Sequence, residues 1–386
     1  MDTPGTSRRR LLQFGAAALP LAALGSALPA VARAATAGSA TLRIPAETDR
    51  HVRTFMAWPA LSSVWSTRLA GVRRHIATVA DAISRYEPVV VLARPGQAAD
   101  ARYECGAGAY YGITVVEIPN DDLWIRDFGP TFVVAPGAVA GVDTNFNGWG
   151  KAGTKWAQPF ANDAAAAATL LYDYGVNRIR APFVGEGGSL ETDGQGTLLA
   201  TVSSLVNPNR NPGKSQDQVE QDLKSSLGID KVIWVPGIAG QDITDCHIDC
   251  LARFTAPGQV ILDKPGPRTD PKWVAVYEET KRALQSATDA QGRPLAITEL
   301  PGPDRNNIRV RNEEEFLSSY TNYYTVNGAV IAPQFGDAYA DGVAYDILRT
   351  AYPGRNVVQL NIDEIARGGG GIHCGTQSQP VVPPAV

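Results

Sequence analysis

The chain has 386 residues, 44% of them hydrophobic, with a formal net charge of −4, 38 glycines and 27 prolines. That is ample for a large core, and charged residues at 19% are too few for a coiled coil or a disordered chain. No basic run follows the first ten residues, which argues against nucleic acid as a partner.

The first element is a leader. Ser7-Arg8-Arg9-Arg10-Leu11-Leu12 runs into an apolar stretch from Phe14 to Leu28, then Ala32-Arg33-Ala34. This pattern predicts a twin-arginine signal over residues 1–34, cleaved near Ala34, with a Sec signal as the alternative. An apolar run of about 15 residues is too short for a membrane anchor. The leader holds four arginines and one aspartate, so the remainder carries a net charge of −7. A periplasmic or secreted protein is expected, with no membrane contact after cleavage.

Strand-like and helix-like runs then alternate. Strands are predicted over residues 54–58, 88–93, 113–118, 231–235, 259–262, 296–300, 329–332 and 356–360. Helices are predicted over 69–86, where Val72, Ile76, Val79, Ala80 and Ile83 recur at helical spacing, and over 215–227, 271–284 and 339–352. Ser215 and Gln218 form a capping-box pattern, with Gly228 as a stop signal. The class is α/β. No internal sequence repeat, dinucleotide fingerprint or P-loop is visible. A single domain over 41–380 is expected, with a disordered tail over 381–386.

Four stretches concentrate Asp, Glu, His, Gly and Trp: Asn120–Pro130, Gly185–Thr197, Asp242–Phe254 and Gly368–Pro380. Separation in sequence is what loops around one site show. In the last, four glycines precede His373-Cys374, so something must approach that backbone closely. Cys374 is the candidate nucleophile. A thiol nucleophile needs a neighbouring base or cation. His373 is adjacent but faces away in an extended chain, so His247 is preferred. On a strand, His247 and Asp249 share a face. Asp127, beside Arg126, reads either as half of a surface ion pair or as a site carboxylate, and Glu186 either as a solvated loop residue or as another. If Asp127, Glu186 and Asp249 converge on the thiol, the site prefers a planar cation such as guanidinium, with Trp124 offering an aromatic face. A disulfide between Cys246 and Cys250 is disfavoured.

The stretches together resemble the agmatine deiminase family, which includes bacterial peptidyl-arginine deiminases. Asn120–Pro130 is similar to its Asn-Asp-x-Trp-x-Arg-Asp-x-Gly-Pro block with one extra residue. Glu186–Ser189, Asp193–Thr197, Asn209–Pro212, His247-x-Asp249, Ala332–Asp337 and Gly369–Gln377 match its further motifs in order, covering roughly residues 43–380. The resemblance implies the pentein fold, a five-bladed α/β propeller with pseudo-fivefold symmetry. It also implies hydrolysis of a guanidinium group without metal or organic cofactor. Cys374 would attack the guanidinium carbon and His247 would move protons. Asp127 and Asp249 would hold the nitrogens, and Glu186 would bind substrate or orient His247. The glycines would let the guanidinium approach the backbone.

The chain departs from the agmatine pattern at Trp58-Pro59-Ala60-Leu61 and at Thr244-Asp245-Cys246, where Thr-Asn-Gly is usual. Agmatine, giving N-carbamoylputrescine for putrescine synthesis, is the leading substrate. Arginine in a peptide is the alternative. A second alternative is an exported zinc protein using Cys246, His247, Cys250, His373 and Cys374, although Cys-His-x-x-Cys is not a standard zinc spacing.

Overall fold

The computed structural model describes residues 41–311 and 313–385; the expected leader and its cleavage site lie outside them. Helices form at Leu69–Ser84, Gln216–Leu227, Pro271–Ser286 and Ala338–Ala351, close to their expected bounds. In the first, Val72, Ile76, Val79, Ala80 and Ile83 are all buried. The Ser215 hydroxyl accepts from the Gln218 amide while the Gln218 side chain accepts from the Ser215 amide, and Gly228 closes that helix in the left-handed region.

These elements belong to a pattern that occurs five times in a mixed α/β fold: an antiparallel strand pair, a helix, and a third strand parallel to the second. The first unit pairs Thr131–Ala135 with Ala138–Asp143 and returns through helix Ala161–Asp173 to Asn177–Arg180. The second uses Glu191–Thr192, Thr197–Thr201, helix Gln216–Leu227 and Lys231–Val235. The third uses Ala252–Ala256, Gln259–Lys264, helix Pro271–Ser286 and Ala296–Pro301. The fourth uses Tyr324–Val326, Ala329–Gln334, helix Ala338–Ala351 and Asn356–Asn361. In the fifth the first and last strands of the described residues meet. Gln377–Pro380 pairs antiparallel with His51–Ala57, and helix Leu69–Ser84 leads to the parallel strand Val89–Ala93. Helix Ala98–Cys105 then adds a fourth strand, Ile113–Glu117.

The helices are the crossovers that parallel pairing requires. The leading strand of each pair escapes the sequence reading for a physical reason. Glu191–Thr192 and Tyr324–Val326 span two and three residues, too few to show alternation. Beyond Pro380, where a disordered tail is expected, the Val381 amide donates to the Arg50 carbonyl at 2.7 Å, and the Pro383 carbonyl accepts from the Gly137 amide at 2.8 Å.

Five links join the units: residues 118–130, 181–190, 236–251, 302–323 and 362–376. Glu47, ahead of the first strand, ties several parts together. Its carboxylate accepts from Arg126 and Arg253 at 2.9 Å each, from His373 Nε2 at 2.7 Å and from the Thr325 amide at 3.1 Å. Arg253 and Arg126 are almost wholly buried, and burial of a charge is tolerable only when it is paired. Replacing Glu47 by Ala leaves the Arg126 guanidinium without a countercharge and Arg253 with Glu191 alone. Chemical denaturation at neutral pH should then register a loss of about 3–5 kcal/mol. A loss under about 1 kcal/mol, the worth of an exposed pair, would show that these charges are solvated.

Candidate active site

Each of the five links contributes to one cluster: Asp127, Glu186, His247 with Asp249, Asn322 and Cys374 in chain order. Cys374 lies in a turn stabilised by Asn322. The Cys374 amide donates to Asn322 Oδ1 at 3.3 Å, and Asn322 Nδ2 donates to Cys374 Sγ at 3.2 Å. The thiol in turn donates to Asp249 Oδ2 at 3.5 Å. The glycine run before it has a reason the sequence does not reveal. A side chain at Gly368 would collide with Trp65, at Gly370 with Trp124, and at Gly371 with Asn322. Two indoles and an amide occupy the space against that backbone.

His247 and Asp249 do not lie on one face of a strand, as expected. His247 flanks a short 3-10 turn, Ile248–Cys250, so strand alternation does not place them, yet both face the space beside Gly188. The His247 ring meets Glu186 Oε2 through Nε2 at 3.2 Å, and its Nδ1 stands 3.7 Å from Asp127 Oδ1 with no hydrogen-bond partner. Asp249 turns to His373 Nδ1, at 2.7 Å, and to Cys374. His373 is thus clamped between Asp249 and Glu47, and it borders a different hollow from the one Cys374 faces. Nor do Arg126 and Asp127 form a surface pair. Both are buried; Arg126 pairs with Glu47, and Asp127 accepts from Trp149 Nε1 at 2.9 Å and from the Gly188 amide at 3.1 Å. Glu186 is buried and accepts from Arg210 Nε at 2.9 and 3.1 Å. A Cβ on Gly188 would sit 2.6 Å from His247 Nδ1, 2.8 Å from Asp127 Oδ1 and 3.2 Å from Asp249 Oδ2. Gly188 therefore keeps the space between these three groups clear.

A cavity of about 450 Å³ opens over the cluster; Trp65, Trp124, Trp156, His247, Asp249 and Cys374 are part of its wall. Asp127 and Glu186 are not in that wall. They stand behind it, Glu186 against the His247 ring and Asp127 facing the space that Gly188 keeps clear. All four cysteines are free thiols, so Cys246 and Cys250 form no disulfide. Of the residues singled out in the sequence, Cys374, His247, Asp249, Asp127 and Glu186 come together, and Trp124 borders the same space. Arg210 and Gly188 lie in motifs matched in the sequence but were given no role there; Glu47 and Asn322 were not foreseen. Asn322 carried no signal of its own, because residues 302–323 hold many other polar side chains.

The profile of the Porphyromonas-type peptidyl-arginine deiminase family matches residues 43–380. The chain belongs to this family. It is 39% identical over 355 residues to the agmatine deiminase of Stutzerimonas stutzeri, covering 87% of this chain and 95% of that one. The agmatine deiminase of Pseudomonas aeruginosa is 38% identical over 357 residues, covering 88% and 95%. The solved agmatine deiminase of Enterococcus faecalis superposes with a TM-score of 0.81 at 32% identity, over 88% of this chain and 96% of that one.

The electrostatics of this deiminase-family site follow from burial opposed by pairing. Burial alone would lower the His247 pKa, but Asp127, then Glu186 and Asp249, outweigh it and raise it to about 9. The imidazole is therefore a cation at neutral pH. Burial lifts the Asp127 carboxyl to about 6, against the pull of His247. Burial also opposes ionisation of Asp249 and Glu186. It is overcome at Asp249 by the His373 hydrogen bond and charge, and at Glu186 by Arg210 and His247, so both remain carboxylates well into acid. At Cys374 the contact with Cys250 pulls the thiol pKa down, but burial, Asp249 and Asp127 together push it above the ordinary value of 9.0.

Two measurements test this picture. Asp127→Asn removes the largest influence raising His247, so NMR titration of the imidazole should show its pKa falling below about 9. An unchanged value would mean that Asp127 does not act on the ring. Because the Cys374 pKa is raised, thiolate appears only in alkali: iodoacetamide should inactivate the free protein slowly at neutral pH, with a rate still climbing past pH 9. A plateau already reached near pH 7 would overturn this assignment.

Proposed function

We propose that this protein is an agmatine deiminase. It hydrolyses the guanidinium group of agmatine to N-carbamoylputrescine and ammonia, a C–N bond hydrolysis on a linear amidine. The observation carrying this reading is the meeting of one thiol, one imidazolium and three carboxylates beneath a single cavity, in a chain 38–39% identical to curated agmatine deiminases over most of its length. A guanidinium matches paired carboxylates through parallel hydrogen bonds and stacks on indole, and Trp124 borders the cavity.

In this reading Asp127 and Asp249 hold the guanidinium nitrogens. The cation beside Cys374 favours the thiolate over the thiol, so substrate binding itself promotes the nucleophile. The thiolate attacks the guanidinium carbon. His247, a cation at neutral pH, gives its proton to the departing nitrogen, which leaves as ammonia and yields a thiouronium on Cys374. The now neutral imidazole takes a proton from water, the water oxygen adds to the same carbon, and the sulfur departs as the ureido product forms. Glu186, held by Arg210, orients the ring and stabilises its charge.

The repeated unit and the pairing of the first and last strands of the described residues in one sheet support closure of the five units as blades of a pentein propeller, as a single deiminase domain over residues 41–380. The twin-arginine pattern and the small-residue cleavage site support removal of residues 1–34 and export of the mature enzyme.

The test is release of ureido product from agmatine, free arginine and a peptide ending in arginine. Agmatine should be turned over with the highest kcat/KM, and faster turnover of the peptide would overturn the substrate. Cys374→Ala should lower kcat by more than about 10⁴-fold while far-UV dichroism and the melting profile stay the same. Substantial turnover by that variant would exclude a covalent route through Cys374.

A further inference from the structure

The mechanism above uses Cys374 and leaves a second thiol unexplained. Cys250 follows Asp249 directly, is half-buried, and faces the same cavity. Its sulfur lies 3.3 Å from Asp249 Oδ1, while the Cys374 sulfur lies 3.5 Å from Asp249 Oδ2. One donor atom from each of Asp249, Cys250 and Cys374 falls within 4.8 Å of the other two. The Asn322 amide nitrogen stands 3.2 Å from both sulfurs, donating to each.

These donors stand close enough for one cation to gather them with small side-chain movements. Zinc binds thiolate at about 2.3 Å and carboxylate oxygen at about 2.1 Å, so tetrahedral ligands stand about 3.6 Å apart for sulfur and oxygen and about 3.8 Å for two sulfurs. Two sulfurs and a carboxylate select a thiophilic divalent cation over magnesium or calcium, which prefer all-oxygen sites. The open side of the triad faces the cavity, leaving the fourth position to water, and the Asn322 N–H groups would stabilise the metal-bound thiolates as an outer shell does.

We propose that Asp249, Cys250 and Cys374 form an inhibitory site for Zn²⁺ or a similar thiophilic cation. Binding displaces the two thiol protons: one Zn²⁺ enters and two H⁺ leave, with no change of oxidation state. A metal held this way engages the sulfur and the carboxylate that the deiminase reading assigns to catalysis and to the substrate, so metal and guanidine exclude one another. The site differs from an all-Cys/His arrangement. Cys246 is not part of the triad, and His373 is occupied by Asp249 and Glu47. The binding claim is independent of the deiminase reading; only the inhibition rests on it.

The experiment titrates the reduced, metal-stripped full chain with ZnCl₂ by calorimetry in buffers of different ionisation enthalpy. One ion should bind, with release of about two protons. Cys250→Ser should weaken binding by more than about 100-fold, since even an outer-shell group is worth about 10–100-fold and a direct ligand more. Cys105→Ser, altering a buried thiol elsewhere, should leave binding unchanged. Should Cys250→Ser fail to fold, Cd²⁺ on the unmodified chain gives the same information, because the thiolate-to-metal charge-transfer band counts bound sulfurs: two are expected, and one or none overturns the site. In turnover assays Zn²⁺ should raise the apparent KM for agmatine without lowering kcat, reversibly with EDTA, and a fall in kcat at constant KM would overturn the shared site. Agmatine turnover in EDTA tests the deiminase reading by itself, so either idea can fail alone.

Discussion

Buried charge must meet buried countercharge, and this condition organises the molecule. Glu47 lies outside every strand pair, yet it receives Arg126 from one link, Arg253 from another unit's strand and His373 from the turn that carries Cys374. Arg253 also grips Glu191 at 2.6 Å. A second set, Arg210 with Glu186 and Asp245, anchors the opposite side of His247. Units that share no strand are thus held by ion pairs from which water is excluded, where geometry must be good for the pair to be tolerated at all. The same pairs fix the rotamers of the groups that face the cavity.

The arrangement leaves one of its carboxyls less fully answered than the others. Asp127, Glu186 and Asp249 surround His247, and Arg210 and His373 answer two of the three directly. Asp127 receives only an indole N–H, a backbone amide and the nearby imidazole, and it is the carboxyl of the three that burial lifts. A further cation in this space relieves Asp127 and stabilises a thiolate at Cys374 together. An amide substrate, which brings no charge, would do neither. This is why the electrostatics favour a guanidine reading over a general cysteine hydrolase.

The sequence made the site legible where several unusual residues lay close in the chain, as in His247-x-Asp249 and Gly-His373-Cys374. It was silent where one ordinary residue does the work at a distance. Nothing around Glu47 marks it, because its partners lie 79, 206 and 326 positions away. The helices could be read from their buried stripes, whereas helix Ala161–Asp173 is so rich in alanine that no stripe stands out. The fivefold repetition of the unit was invisible because each unit needs only apolar faces in the right places, which many sequences supply. Reasoning from an extended chain placed His247, Asp249 and His373 by alternation, whereas both segments are turns; His247 and Asp249 share a space for that reason and not as neighbours on a strand face.

The departure at Thr244-Asp245-Cys246 has a physical reading that motif comparison alone does not give. Asp245 and Cys246 sit at φ of 60° and 69°, the left-handed region in which a side chain costs about 1–2 kcal/mol and glycine costs little. A chain that places two side chains there needs compensation, and Asp245 supplies it. Its carboxylate accepts from Lys151 at 2.7 Å, Arg210 at 2.7 Å, Asn209 at 2.9 Å and the Gly240 amide at 2.7 Å. Cys246 is buried in the core beside Ile248. The strained pair ends where His247 begins, so its geometry sets the direction in which the imidazole leaves the backbone. The substitution therefore acts on how His247 is presented to Glu186 and Asp127, through a backbone held by Lys151 and Arg210. Asp245 and Lys151 lie outside the cavity wall while Thr244 and Cys246 border it, so Asp245 acts through the backbone that presents His247, and its two neighbours face the cavity directly.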